Sequence, residues 1–337
     1  MRHHARMGWT EWALLLAAVI LLAVVVTVRD QQLLDQMNAL FEGGRHQDVL
    51  VHRLPSALHR RTGQAVQAGS AVLTGRYALA LELLGPPGPP ANGAHDPSDD
   101  RLLRAAALVG LGRYGEVAAL LAERPAEPAV QRVRAQAAIE VGDDELAERL
   151  LQHPQPDLMD EAGRRRLLAE LRIRRGRVAE GEELARQAMA LYAGLDDCGT
   201  DVDEAYCSVL LGRAALRAAR LDEALDRAGH GLRGLQQRPD NAPGLAEAHA
   251  LLAEIRAGLG DAEGASEDLH RAREHALLCG SQPLDAEVAR AAGMVALRLG
   301  HTTEAGRRLR EALELHEALG AWPTADEIRR ALSSPGS

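Results

Sequence analysis

Lysine is absent from all 337 residues, and the 39 basic side chains are arginine throughout. Such usage reads as the codon bias of a G+C-rich bacterial genome rather than as a functional device. Aromatic residues are almost as scarce, at 2%: three Trp, four Tyr and one Phe. So few rings argue against a β-rich fold, and no aromatic cluster offers a stacking platform for nucleic acid. The net charge of −9 excludes a second route to nucleic acid, because neutralising phosphates needs a basic surface. Catalytic signatures are missing too. There is no phosphate-binding glycine loop, no nucleophile elbow and no zinc-ligand spacing. His270 and His275 are five apart and so do not share a helix face, and His3-His4 is an adjacent pair in a tail. Acidic pairs such as Asp222-Glu223 fall where helices begin and read as N-terminal helix charge. No enzyme activity, metal, cofactor or small-molecule substrate is expected.

What the chain does have is alanine, leucine, arginine, glutamate and glycine in helical rhythm. From Asp285 to Leu319 two apolar-periodic segments flank a break at Gly300-His301. Ala292, Gly293 and Ala296 in the first segment, and Ala305, Leu309 and Ala312 in the second, let two antiparallel helices approach closely. Leu309, Leu313 and Leu315 supply apolar area. Related hairpins occur at 205–235, with Leu211, Gly212, Ala215, Ala224 and Ala228, and at 246–276, with Leu252, Ala253, Gly260, Asp261, Ala265, Leu269 and Ala272. A hairpin of this size cannot bury its apolar face alone, so a stack follows.

These segments resemble the tetratricopeptide repeat, which carries Leu-Gly near the middle of its first helix and small residues along its second. The family's Trp, Tyr and Phe are replaced here by Ala, Leu or Ser. Turn positions at Gly44, Gly75, Gly112, Gly142, Gly176, Ala219-Arg220, Gly260 and Gly300 are separated by 31, 37, 30, 34, 43, 41 and 40 residues. Eight hairpins are expected, and the resemblance implies a right-handed, all-α solenoid binding protein partners along a face lined by the first helix of each hairpin.

The expected organisation is a tail at 1–8, a transmembrane helix at 9–28 and degenerate first repeats at 29–84. A Pro/Gly-rich loop at 85–100, repeats at 101–320 and a capping helix with tail at 321–337 complete it. The cap is read from Thr324 to Glu327 as a capping box. Within the span, residues 13–28 carry no charge, and from Trp9 a helix would extend about 30 Å, enough to cross a hydrocarbon core. Trp9 and Trp12 would lie at the headgroup level. A signal peptide is the competing reading, but V-V-V-T-V-R-D-Q-Q offers no small-x-small cleavage site, which favours an uncleaved anchor. Arg2 and Arg6 favour a cytoplasmic N-terminus with the repeats outside the inner membrane, whereas Arg29 pulls the other way.

Two sets of side chains stand out. Aligning the first helices by their turns places Arg132, Arg166, Arg174, Arg213 and Arg217 inward, with Arg290 and Arg298 farther on and Glu170 and Glu254 interrupting. This predicts an arginine-lined groove for an acidic segment of a protein partner. Cys198 and Cys207 bracket a connection. In an oxidising compartment a disulfide there would stabilise by roughly 2–3 kcal/mol; otherwise they are ordinary buried thiols, with Cys279 unpaired. The functional expectation is a membrane-anchored scaffold or adaptor: an assembly factor or accessory subunit of an envelope complex, contacting proteins and, through residues 9–28, the bilayer. The alternative is a cytoplasm-facing regulatory module on the same tether.

Overall fold

The computed structural model describes residues 9–56, 59–86, 97–122, 127–195 and 200–333, with side chains from residue 22 onward in the first helix and from residue 100 in the helix that opens at Pro97. Seventeen helices account for most of the described chain. Sixteen of them pair into eight hairpins: α1 (Trp9–Glu42) with α2 (His46–Val51), α3 (Arg60–Leu73) with α4 (Tyr77–Leu84), α5 (Pro97–Gly110) with α6 (Tyr114–Leu120) and α7 (Pro128–Val141) with α8 (Asp144–Leu151). The series continues with α9 (Leu158–Arg174) and α10 (Val178–Ala193), α11 (Thr200–Arg217) and α12 (Leu221–Gln236), α13 (Ala242–Gly258) and α14 (Ala262–Cys279), then α15 (Gln282–Arg298) and α16 (Thr302–Ala318). The last helix, α17 (Trp322–Ser333), lies on α16.

One turn design joins every hairpin. The residues at 44, 75, 112, 142, 176, 219, 260 and 300 all have positive φ, between 57° and 83°. The following amide, from Arg45 to His301, donates back to a carbonyl five residues upstream at 2.7–2.9 Å. This is the Schellman closure, in which a left-handed residue satisfies helix carbonyls that would otherwise lack donors. Seven of the eight positions are glycine and the sixth is Ala219, the only non-glycine with positive φ among the described residues.

Small residues set the helix spacing. A Cβ on Gly212 would lie 2.9 Å from the Ala228 amide nitrogen, and one on Gly293 would lie 2.6 Å from Leu309 Cδ2. Ala292, Ala296, Ala305, Leu309 and Ala312 are all buried, as the helical spacing of 285–319 predicts. The first helices of successive hairpins pack on one another in chain order.

Three boundaries differ from expectation. Helix α1 runs without a break from Trp9 to Glu42, so the predicted span and the first arm of the first hairpin are one helix. Helix α5 starts at Pro97, inside the predicted 85–100 loop, because proline is well suited to a first helical turn; residues 87–96 lie outside the described residues. Helix α17 starts at Trp322, ahead of the predicted capping box, which places Thr324 inside the helix. The side chains of Trp9 and Trp12 also lie outside the described residues, and among the described residues no helix is long and apolar enough to cross a membrane.

The array also meets itself. A Cβ on Gly75 would stand 2.6 Å from Pro243 Cγ, one on Gly112 2.3 Å from Leu319 Cδ2 and 3.1 Å from Pro283 Cγ, and one on Gly142 2.5 Å from Pro323 Cγ. Early hairpin turns therefore seat directly on the N-terminal ends of α13, α15 and α17. The Ser281 hydroxyl donates to the Gly110 carbonyl at 2.6 Å, and Arg238 donates to the Gly43 carbonyl at 3.2 Å across the same seam.

Candidate functional site: the inner cavity

Closure of the seam turns the inner face into a cavity of about 400 Å³. Its walls come from the first helices of the central hairpins and from the seam itself, including Gly110, Pro243 and Pro283. Apolar area from Val209, Leu210 and Leu284 alternates with ionised groups and tyrosines. Three of the chain's four tyrosines, Tyr77, Tyr114 and Tyr206, line it. Tyr206 donates its hydroxyl to Asn241 at 3.2 Å.

The predicted arginines are distributed unevenly. Arg174 is saturated, donating to Glu140 at 3.0 Å and to Glu170 at 2.9 Å. Arg290 bridges Glu254 at 2.6 Å and Glu287 at 2.8 Å, and Arg298 approaches Glu254 at 3.7 Å. Arg217 pairs with Glu327 of α17 at 2.7 Å, while Arg132 pairs with Asp160. The guanidinium surplus expected on this face is therefore absent. Carboxylates at 140, 170, 203, 247 and 287 line the cavity against guanidiniums at 166, 174 and 213. The inward positions follow from helical phase, but phase does not reveal which acids share them.

Four groups lack a close ion pair. Arg166 makes none with a described residue and its buried Nε has no hydrogen-bond partner, although Tyr192, Asp203 and Glu170 favour its charge. Arg213 reaches Glu287 only at 4.0 Å. Neither Glu247 nor Asp203 has an ion pair or hydrogen bond from a described residue, and both line the same space. Burial pushes the Glu247 carboxyl up to about 7; Arg213 pulls against that shift, and Glu170, Glu287 and Glu140 add to it. Burial likewise raises Asp203, against the pull of Arg166 and Arg132. Glu287 is desolvated as well, but Arg290 and Arg213 hold it well below the usual carboxylate range. Burial lowers the pKa of His316 in the wall.

Sequence reasoning missed Glu140, Asp203, Glu247, Glu287 and the tyrosines. The available signal was scarcity: a chain with four tyrosines repeats Gly-Arg-Tyr at two turns, and both rings reach the cavity. Cys207 is fully buried beside Ala162, Ala188 and Tyr192, and burial pushes its thiol up to about 12. Its predicted partner Cys198 lies outside the described residues. Among the described residues, no group of three or more His, Cys, Asp and Glu is placed to hold a metal ion.

No protein-family model matches the sequence, and no curated protein matches it. Among solved structures the chain is similar to the crystal structure of Rap protein complexed with competence and sporulation factor, at 12% identity and a TM-score of 0.41. The match covers 81% of this chain and 96% of that one.

Proposed function

We propose that this chain is a membrane-tethered helical-repeat adaptor that contacts partner proteins and performs no chemistry of its own. The observation that carries the reading is an apolar stretch projecting from a helix locked into the array. Leu22, Val24, Val25 and Val28 on α1 are each more than half exposed. Two residues beyond Val28, Asp30 is buried and accepts hydrogen bonds from the amide of Ser56, at 3.0 Å, and from its hydroxyl. Exposed valine and leucine in series are costly in water and favourable in hydrocarbon, at about 25 cal/mol per Å². The hydrogen-bonded junction would hold the stack against the bilayer rather than on a loose linker. An envelope role, as assembly factor or accessory subunit, fits a cytoplasmic N-terminus.

Of the inner arginines, Arg166 and Arg213 have the loosest ion pairing within the fold, and both face the cavity. Fractionation tests the tether: the full chain should stay with membranes through a carbonate wash, and a variant starting at residue 29 should not. A full chain recovered in the soluble fraction would refute it. Affinity purification in mild detergent, anchor intact, tests the adaptor role; recovery of no stoichiometric protein partner counts against it. One observation favours the regulatory alternative, namely that the inner face encloses a space of small-ligand size. A C-terminal alkaline phosphatase fusion separates the two, since activity requires the repeats to lie outside the cytoplasm.

A further inference from the structure

We infer that the inner cavity is a binding site for a small zwitterion, a free amino acid carrying both its ammonium and its carboxylate, and that it is an effector site rather than a channel for a polypeptide. Groups of both signs facing one space lead to this ligand. Arg174 is taken up by Glu140 and Glu170, and Arg290 by Glu254 and Glu287, inside the fold. What remains facing the space is Arg166 and Arg213 of one sign, and Glu247 and Asp203 of the other. All four are half-buried and none is held in a close hydrogen-bonded ion pair, so the cavity presents groups of both signs that an incoming molecule can engage. An acidic ligand would satisfy the guanidiniums but meet Glu247, Asp203 and Glu140. A basic ligand would meet Arg166, Arg174 and Arg213. Only a ligand with both charges satisfies the two sets together, its carboxylate taken by Arg166 or Arg213 and its ammonium by Glu247 or Asp203.

Size and lining agree with this assignment. A space of about 400 Å³ lies at the lower end of small-molecule pockets and far below what a folded partner needs. Tyr77, Tyr114 and Tyr206 present rings with hydroxyl tips, and Val209, Leu210 and Leu284 offer apolar surface for a side chain. Because the seam residues Pro243 and Pro283 form part of the wall, occupancy would also stabilise the closed array. The inference goes beyond the adaptor reading and does not depend on the tether, so either can fail alone.

The test is a thermal-shift and calorimetric screen of the full-length protein in detergent. The probes are the twenty free amino acids, each beside its N-acetyl and α-amide derivatives. At least one free amino acid should raise the melting temperature, and both capped forms of it should fail to do so. Arg166→Gln and Glu247→Gln should each weaken binding by tenfold or more, with Arg273→Gln on the outer surface unchanged. Glu247→Gln removes an unpaired charge at nearly constant shape and is expected to fold, so it keeps the test decisive if Arg166→Gln does not. The inference is overturned if no free amino acid binds, if either capped form binds as well as the free one, or if Glu247→Gln binds with unchanged affinity.

Discussion

Ala219 occupies the one hairpin turn built without glycine, at φ 57°, and carries the strain of a left-handed conformation with a Cβ. That conformation costs an L-residue about 1–2 kcal/mol, partly offset by the greater unfolded-state entropy that glycine would bring. Ala219→Gly is therefore expected to stabilise the chain by roughly 0.5–1 kcal/mol, read as a higher urea midpoint at constant slope. An unchanged or lower midpoint would show that the turn relaxes around alanine. Glu247 gives a pH-dependent counterpart. Its folded pKa of about 7 lies above the ordinary 4.5, so the folded chain holds this proton more tightly than the unfolded one. The site is thus neutral to stability below about pH 4.5, becomes progressively destabilising as pH rises toward 7, and is constant above that. Arg213 opposes the shift, and Glu170, Glu287 and Glu140 reinforce it. Relative to wild type, Glu247→Gln should gain little at pH 4.5 and on the order of 2–3 kcal/mol by pH 8. A gap that does not widen between those pH values would mean the carboxylate is already partnered.

The hairpins were legible in the sequence because each is specified locally. A turn residue that must adopt positive φ and small residues at helical spacing identify a unit from within about 35 residues. That is why positions as different as Gly44 and Ala219 could be placed. Boundaries governed by neighbours were less legible. Nothing in 28–31 breaks a helix, so α1 runs through the expected junction, and Asp30 is held by Ser56, which is distant in sequence. Asp30 is therefore the natural point at which to test how α1 joins the array. Ser56 supplies two hydrogen bonds to its carboxylate, and they keep it below the usual carboxylate range. Asp30→Ala should speed amide exchange in residues 31–42 and 46–51 while leaving α13 to α16 as protected as before. Equal protection in wild type and Asp30→Ala would mean that packing on α3 alone holds α1 in place.

Across the whole molecule, the seam was the feature that local pattern could not reveal, since it depends on how hairpin-to-hairpin rotations accumulate. Its trace in the sequence is nonetheless regular. Pro243, Pro283 and Pro323 are spaced 40 residues apart, each at the second position of its helix, and they face Gly75, Gly112 and Gly142. Glycine at those turns serves two purposes, backbone conformation and close approach, and two substitutions separate them. Gly260 has φ 83° with open space where a Cβ would stand, so Gly260→Ala carries the backbone penalty alone, about 1 kcal/mol. Gly112 has φ 76°, but its Cβ would come within 2.3 Å of Leu319. Gly112→Ala must carry the same penalty and also push α15 and α16 away from the α5–α6 turn. Overpacking of this kind typically adds 1–3 kcal/mol, and here the array can relieve it by opening. Gly112→Ala should therefore lose more stability than Gly260→Ala, show a larger radius of gyration in solution scattering, and expose the Ser281–Gly110 hydrogen bond to faster exchange around Leu111. Equal losses with an unchanged radius would show that the early turns merely rest against the later helices, and that the cavity does not depend on the contact.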